Sequence, residues 1–187
     1  MFNSLITNDN LQERFIFKNA FTSEECEEII NNPDLKSEKF SGEYKEMMAR
    51  SYSLKKNRQT EWITERIMNI INQANQLYYN FKISSLENIQ FIEYLENSFY
   101  NWHIDLSGVG SRYWTRKINA VVFLSNPKDY EGGQLRFNLN EQNAIQEIEQ
   151  EQGSMVLFPS YQPHIVEKIT KGRRYTFSAI AHGDSFR

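Results

Sequence analysis

The spacing of apolar positions along the chain changes once, near residue 88. Between Glu61 and Phe81 apolar residues recur at helical intervals (Trp62, Ile63, Ile67, Ile70, Ile71, Ala74, Leu77, Tyr78), which predicts the longest helix. A shorter helix is expected over EECEEIINN (24–32), capped by Thr22 or Ser23 and carrying acids in its first turn. FIFKNAF (15–21) and ARSYSLK (49–55) read as strands. Residues 33–48, with a proline, a glycine and mixed charges, read as a surface loop. After residue 88 the segments become short and β-branched or aromatic: IQFIEYL (89–95), KINAVVFL (117–124), GQLRF (133–137), GSMVLFP (153–159), HIVEKI (164–169) and RYTFSAI (174–180). Turn signals at Asn126-Pro127, Gly132-Gly133 and Lys171-Gly172 separate them, and NEQNAIQEIEQEQ (140–152) reads as a long, solvated hairpin loop. Helices first and then several short strands predict an α+β chain with a sandwich or jelly-roll core.

Composition narrows the class of partner. A length of 187 residues suits one domain, and 40% hydrophobic with 24% charged residues is ordinary for a globular protein. A net charge of −3 supplies no basic field, so no nucleic-acid partner is expected. Cys26 is the single cysteine, which excludes an internal disulfide and an all-cysteine zinc site and fits a reducing compartment. The first residues lack a basic start and an apolar core, and no apolar run approaches the ~20 residues that span a bilayer. A cytoplasmic protein without a membrane partner, monomeric or homodimeric, is the expectation.

Candidate chemistry begins at YNWHIDLSG (100–108). On a strand, side chains two apart share a face, so His103 and Asp105 would point together. Among the three histidines, His164 opens a predicted strand directly after PSYQP. Two histidines and a carboxylate that leave coordination positions open are the ligand set of non-haem Fe(II) oxygenases. Alone, an HxD tripeptide is weak, because many chains contain one by chance. Arg174 strengthens it: with Thr176 and Ser178 it shares a strand face pointing into the barrel, and a buried guanidinium is costly unless an anion meets it. A dicarboxylate would be such an anion.

In these residues the chain resembles the 2-oxoglutarate/Fe(II)-dependent dioxygenases of the prolyl-4-hydroxylase type, in their PKHD-like branch. FIEYLENSFYNWHID, RKINAVVFLSNPKDYEGGQLRF and GSMVLFPSYQPHIVEKITKGRRYTFSAI carry the resemblance, in the order HxD, YxGGxL, FPS, HxV and GxR. It implies a double-stranded β-helix (jelly-roll) core over 89–187, with residues 1–88 as mainly helical N-terminal support packed on it, in one domain. It also implies Fe(II) held by His103, Asp105 and His164, and 2-oxoglutarate held at its distal carboxylate by Arg174. Tyr94, with Tyr100 nearby, would line that pocket, Ser178 would assist the arginine, and Val121, Leu135 and Val166 would form the apolar wall. Some members place a second tyrosine where this chain has Phe123, so the partner of Arg174 lies among Tyr94, Tyr100 and Ser178. Arg173 would face the other way. His182, taken to lie beyond the barrel strand, is expected to be structural or exposed. Gly132 and Gly133 are expected to serve a tight turn.

The implied reaction is hydroxylation with O₂, stimulated by ascorbate. Asp105 completes the ligand set that halogenating relatives leave open, which favours hydroxylation over halogenation. A peptide or protein side chain is the expected substrate, with a small-molecule metabolite as the alternative. A non-catalytic jelly-roll binding module is the rival from another class. Trp102 and Trp114 either border the substrate opening or pack, and Arg50 either meets substrate or solvent. Segments 36–48 and 106–116 are expected to wall the site.

Overall fold

In the computed structural model of the chain, residues 14–44, 47–106, 114–138 and 145–185 are described. In chain order they form β1 (Phe15–Phe17), α1 (Ser23–Asn31), β2 (Lys36–Tyr44), β3 (Met47–Leu54), α2 (Glu61–Ala74), β4 (Ile83–Leu86), β5 (Gln90–Tyr94), β6 (Phe99–His103) and β7 (Arg116–Phe123). There follow β8 (Tyr130–Gly132), β9 (Leu135–Asn138), β10 (Ile145–Glu147), β11 (Met155–Pro159), β12 (His164–Val166), β13 (Ile169–Gly172) and β14 (Arg174–Gly183).

Local chemistry explains both helices. Thr22 accepts from the Glu25 N–H while the Glu25 carboxylate accepts from the Thr22 N–H, a capping box that starts α1. Cys26 and Ile29 are its buried face, and burial pushes the Cys26 thiol up to about 12. In α2 the periodic set Ile63, Ile67, Ile70, Ile71 and Ala74 is buried as expected. The regular helix stops at Ala74, short of the expected Phe81. A wider π turn carries it through Tyr79, and Asn80 then takes a left-handed conformation that ends it.

Among the described residues twelve strands pair in one sheet, in the order β1-β11-β7-β14-β5-β3-β6-β12-β9-β10, with β2 on β3 and β4 on β14; β8 and β13 form a separate pair. Each strand-strand register is antiparallel. The path curls on itself. Tyr94, Phe123, Val156 and Phe158 from one half meet Leu135, Phe137 and Val166 from the other in a single buried cluster. This is the jelly-roll, or double-stranded β-helix, core that the strand spacing and family motifs predict.

The strands β5, β14, β7 and β11 are covered on both faces. Their alternate side chains (Phe91, Ile118, Ala120, Val122, Met155, Leu157, Phe177, Ala179) pack in a larger apolar cluster with Cys26, Ile29 and the isoleucines of α2. Helices thus cover one face of these strands, and the barrel interior lies on the other.

Three expectations need correction. Residues 33–48 are not simply loop: after one 3-10 turn over Pro33–Leu35 the chain forms β2 and turns into β3, paired from Lys36↔Leu54 to Tyr44↔Met47. Main-chain pairing imposes the strand there, and the polar sequence of β2 suits a sheet edge. The N-terminal segment therefore supplies strands as well as helices. Its strands extend the core sheet, and β3 joins β5 to β6 and so links the two halves. The stretch 140–152 is not wholly solvated: β10 pairs with β9, and Ile148 is buried. Finally, β14 continues through Gly183, so His182 lies within the strand rather than beyond it. The expected walls fall partly outside the described residues (45–46 and 107–113), as does the segment 1–13. No helix among the described residues is long and apolar enough to cross a membrane.

Candidate metal and cosubstrate site

Between the two halves of the barrel lies a cavity of about 470 Å³, open mouth included. His103, Asp105, His164, Arg174, Tyr94, Tyr100, Ser178, Val121, Leu135 and Val166 all line it. Ile92, Asn119, Phe158 and Thr176 complete the wall.

His103 and His164 are placed by register. They sit opposite one another where β6 pairs with β12, with ring centroids 4.0 Å apart. Each ring meets a backbone carbonyl two residues earlier through Nδ1, His103 at Asn101 O (2.6 Å) and His164 at Gln162 O (3.0 Å). A carbonyl only accepts, so Nδ1 carries the proton and the Nε2 lone pair is left for the cavity. Asp105 stands 3.9 Å from His103 Nε2 and 3.6 Å from His164 Nε2. One ligand atom from each of the three lies within 4.8 Å of the others.

Asp105 does not reach this position by strand alternation, because β6 ends at His103. Its neighbours hold it. Asn119 Nδ2 donates to Asp105 Oδ2, and Arg116 Nη1 donates to the Asp105 carbonyl (3.1 Å). Since a carboxylate only accepts, Asn119 presents its NH₂ there, and its Oδ1 accepts the Ser160 hydroxyl (2.9 Å). Arg116 is itself fixed by a bidentate pair with Glu87 (2.7 and 2.9 Å). Burial pushes the Glu87 carboxyl up, but Arg116 and then His182 outweigh it, and the group lies below its ordinary range.

His182 has a structural place in this arrangement. Its Nε2 lies 2.6 Å from Glu87 and its Nδ1 2.7 Å from Thr115, away from the cavity.

Arg174 is 1% exposed at the start of β14. It faces Tyr94 in register, and its guanidinium carbon lies 5.1 Å from the Tyr94 ring and 5.5 Å from the Phe123 ring. Burial raises the Tyr94 phenol above its usual value, with the Arg174 charge offsetting part of the effect. Gly133, in a left-handed conformation (φ +70°), leaves room for the arginine. An added Cβ would collide with Ile169 and come within 3.1 Å of Arg174 Cδ.

Of the three candidate helpers, Tyr94 is the one beside Arg174. Tyr100 is stacked on His103 instead, with centroids 3.5 Å apart. Ser178 is four residues along β14, roughly 13 Å away at ~3.3 Å per residue. Arg173 is exposed and turns to Glu93 (3.8 Å), as does Arg50 (3.3 Å), which favours the surface reading of Arg50. Trp102 and Trp114 are 42% and 52% exposed and line no part of the cavity.

Sequence reasoning missed Asn119, Arg116, Glu87, Ser160 and Gln150. For Asn119 a signal existed: it is the lone uncharged polar residue within the apolar run KINAVVFL, at a position that alternates with buried Ile118 and Ala120.

The residues present suit Fe(II) and a dicarboxylate. The nitrogen and oxygen donors converge with their tautomers already set. Arg174 pairs with no carboxylate among the described residues, and its Nε is buried without any acceptor. An anion is what this group lacks.

A model of the 2OG-Fe(II) oxygenase superfamily matches residues 89–182, just over half of the chain. A PKHD-type hydroxylase of Rippkaea orientalis is 27% identical over 164 residues, covering 83% of this chain and 72% of that protein. Another, of Gloeothece citriformis, is 33% identical over 89 residues, covering 48% of this chain and 40% of its own length. In fold, the chain is similar to a Trichoplax adhaerens prolyl hydroxylase solved with a hypoxia inducible factor peptide fragment (TM-score 0.73, 18% identity, 92% of this chain and 84% of that one). The chain therefore belongs to the 2OG-Fe(II) oxygenase superfamily, as a dioxygenase that uses Fe(II), 2-oxoglutarate and O₂.

Proposed function

We propose that this dioxygenase hydroxylates an unactivated C–H bond in a peptide or protein side chain, a prolyl residue being the leading candidate. The observation that carries the reading is the joint lining of one cavity by His103, Asp105 and His164 and by a buried, carboxylate-free Arg174. His103 and His164 would each hold iron through Nε2, because their Nδ1 protons are committed to backbone carbonyls. Asp105 would hold it through a carboxylate kept in place by Asn119. Three protein ligands leave positions open for a cosubstrate and O₂. Arg174 would take the distal carboxylate of 2-oxoglutarate, with Tyr94 beside it, while Val121, Leu135 and Val166 keep water from the reacting atoms. When bound, the metal and cosubstrate would supply the chemistry, in which 2-oxoglutarate would lose CO₂ and gain one oxygen atom of O₂ to become succinate, with the other oxygen entering the substrate C–H bond.

Support for a peptide substrate comes from the peptide bound to the Trichoplax adhaerens structure. The test is succinate release from 2-oxoglutarate with Fe(II) and ascorbate, followed by mass spectrometry of prolyl peptides and of a metabolite panel. A +16 product on peptide supports the reading. Products confined to metabolites would replace it with small-molecule hydroxylation, and no succinate under any condition would favour a binding module.

A further inference from the structure

The stretch Glu147–Gln152, polar enough to read as solvated, alternates in the structure. Ile148 is buried, while Glu149 and Glu151 turn outward to Lys18 (3.6 and 2.9 Å). Gln152 turns back and donates to the Leu124 carbonyl (2.9 Å). Between the two glutamates, Gln150 points inward, and its side-chain carbonyl accepts from Arg174 Nη2 at 2.8 Å. The acids of this segment face solvent, and a neutral amide faces the buried cation.

That choice has a physical consequence. Arg174 lies against the rings of Tyr94 and Phe123, which attract the charge, and of the two Tyr94 alone has a hydroxyl that can also direct its N–H bonds. Phe123 has no hydroxyl to do so. A carbonyl on Nη2 fixes the rotation of the planar fork without neutralising it. A carboxylate in the same place would form an ion pair and remove the attraction for an incoming anion. Gln150 lines no part of the cavity, so it holds the guanidinium from outside while the unpartnered Nε–H remains available.

We propose that Gln150 is a positioning residue of the cosubstrate site, orienting Arg174 toward the distal carboxylate while leaving its charge unpaired. The inference rests on the reading that Arg174 receives that carboxylate. The experiment measures binding of 2-oxoglutarate, and of 2-oxopentanoate, which lacks the distal carboxylate, to the Fe(II)-loaded full-length protein without O₂. Fe(II) affinity is measured alongside, for wild type, Gln150→Leu, Gln150→Glu and Arg174→Met. Loss of a hydrogen bond to a charged group predicts a roughly 10-fold weaker 2-oxoglutarate complex for Gln150→Leu. Gln150→Glu should weaken it further, on the order of 100-fold, because the new carboxylate claims Arg174. Binding of 2-oxopentanoate and Fe(II) should be the same in all four proteins. If Arg174→Met also leaves 2-oxoglutarate unchanged, the reading of Arg174 fails and takes the inference with it. If Arg174→Met weakens 2-oxoglutarate while both Gln150 variants bind it normally, the inference alone fails. Equal weakening of both oxo acids, or loss of Fe(II), would show a merely structural role and also overturn it.

Discussion

The two faces of β7 and β14 differ in what they ask of a side chain. Toward the helices these strands present Ile118, Ala120, Val122, Phe177, Ala179 and Ala181, all buried and all apolar. Toward the barrel interior they present Asn119, Val121, Phe123, Arg174, Thr176 and Ser178. The first face needs volume and hydrophobicity, which many residues supply. The second needs particular donors and acceptors at particular atoms, because each buried polar group there must find a partner or a ligand. Stability is concentrated on one side of the strands and chemistry on the other, one residue apart in sequence.

Substitutions on opposite faces should therefore separate the two properties, and the largest effects come first. His103→Ala, Asp105→Ala and His164→Ala should each abolish or nearly abolish turnover while the thermal midpoint stays close to wild type. Phe177→Ala, within the helix-side cluster, should cost about 3–5 kcal/mol of unfolding free energy. Paired measurement of succinate formation and denaturant unfolding checks both. Full turnover in Asp105→Ala would remove the proposed iron ligand set, and a fully stable Phe177→Ala would break the contrast between the faces.

Within the inner face, cosubstrate and metal should also separate. Arg174→Met should weaken 2-oxoglutarate binding by ~2–5 kcal/mol, roughly 30-fold to several thousand-fold, and leave Fe(II) affinity nearly intact. Arg174→Lys should fall between, since it keeps the charge and loses the fork. Asn119→Ala should do the reverse: Fe(II) affinity should drop about 10–100-fold as Asp105 loses its donor, with less change in 2-oxoglutarate binding at saturating metal. Titration of each ligand against each variant tests the separation. A uniform loss of both would mean that Asn119 supports the barrel wall rather than Asp105.

What the sequence reveals follows the same division. Short β-branched or aromatic runs between turn signals mark the core strands, and the motif order places His103, Asp105, His164 and Arg174 in one cavity. Features made by main-chain pairing escape such reading. The polar stretch Lys36–Tyr44 becomes a strand because β3 pairs with it, not because its side chains alternate. Groups that act through another residue escape too: Glu87 reaches Asp105 only by way of Arg116, and Gln150 meets Arg174 across 24 positions of chain. Neither separation carries a local signal. Asp105 itself shows the limit, since its place beside His103 depends on Asn119 and Arg116 and not on the strand period first used to pair them.

The smallest expected effect tests the division most finely. Arg173 adjoins Arg174, carries the same charge and could take its role if the register of β14 were displaced by one. Instead Arg174 faces Tyr94 across β5, and Arg173 lies outside the strand, exposed, 3.8 Å from Glu93. An exposed ion pair of this length is worth little. Glu93 also keeps Arg50 at 3.3 Å and the Tyr175 hydroxyl at 3.3 Å, so it is not left unpaired. Arg173→Met should therefore leave stability close to that of wild type. It should leave 2-oxoglutarate binding as in wild type, while Arg174→Met beside it loses most of it. The two variants differ by one position and by nothing in charge. A loss of 2-oxoglutarate in Arg173→Met, with retention in Arg174→Met, would mean that the inner and outer faces of β14 have been exchanged.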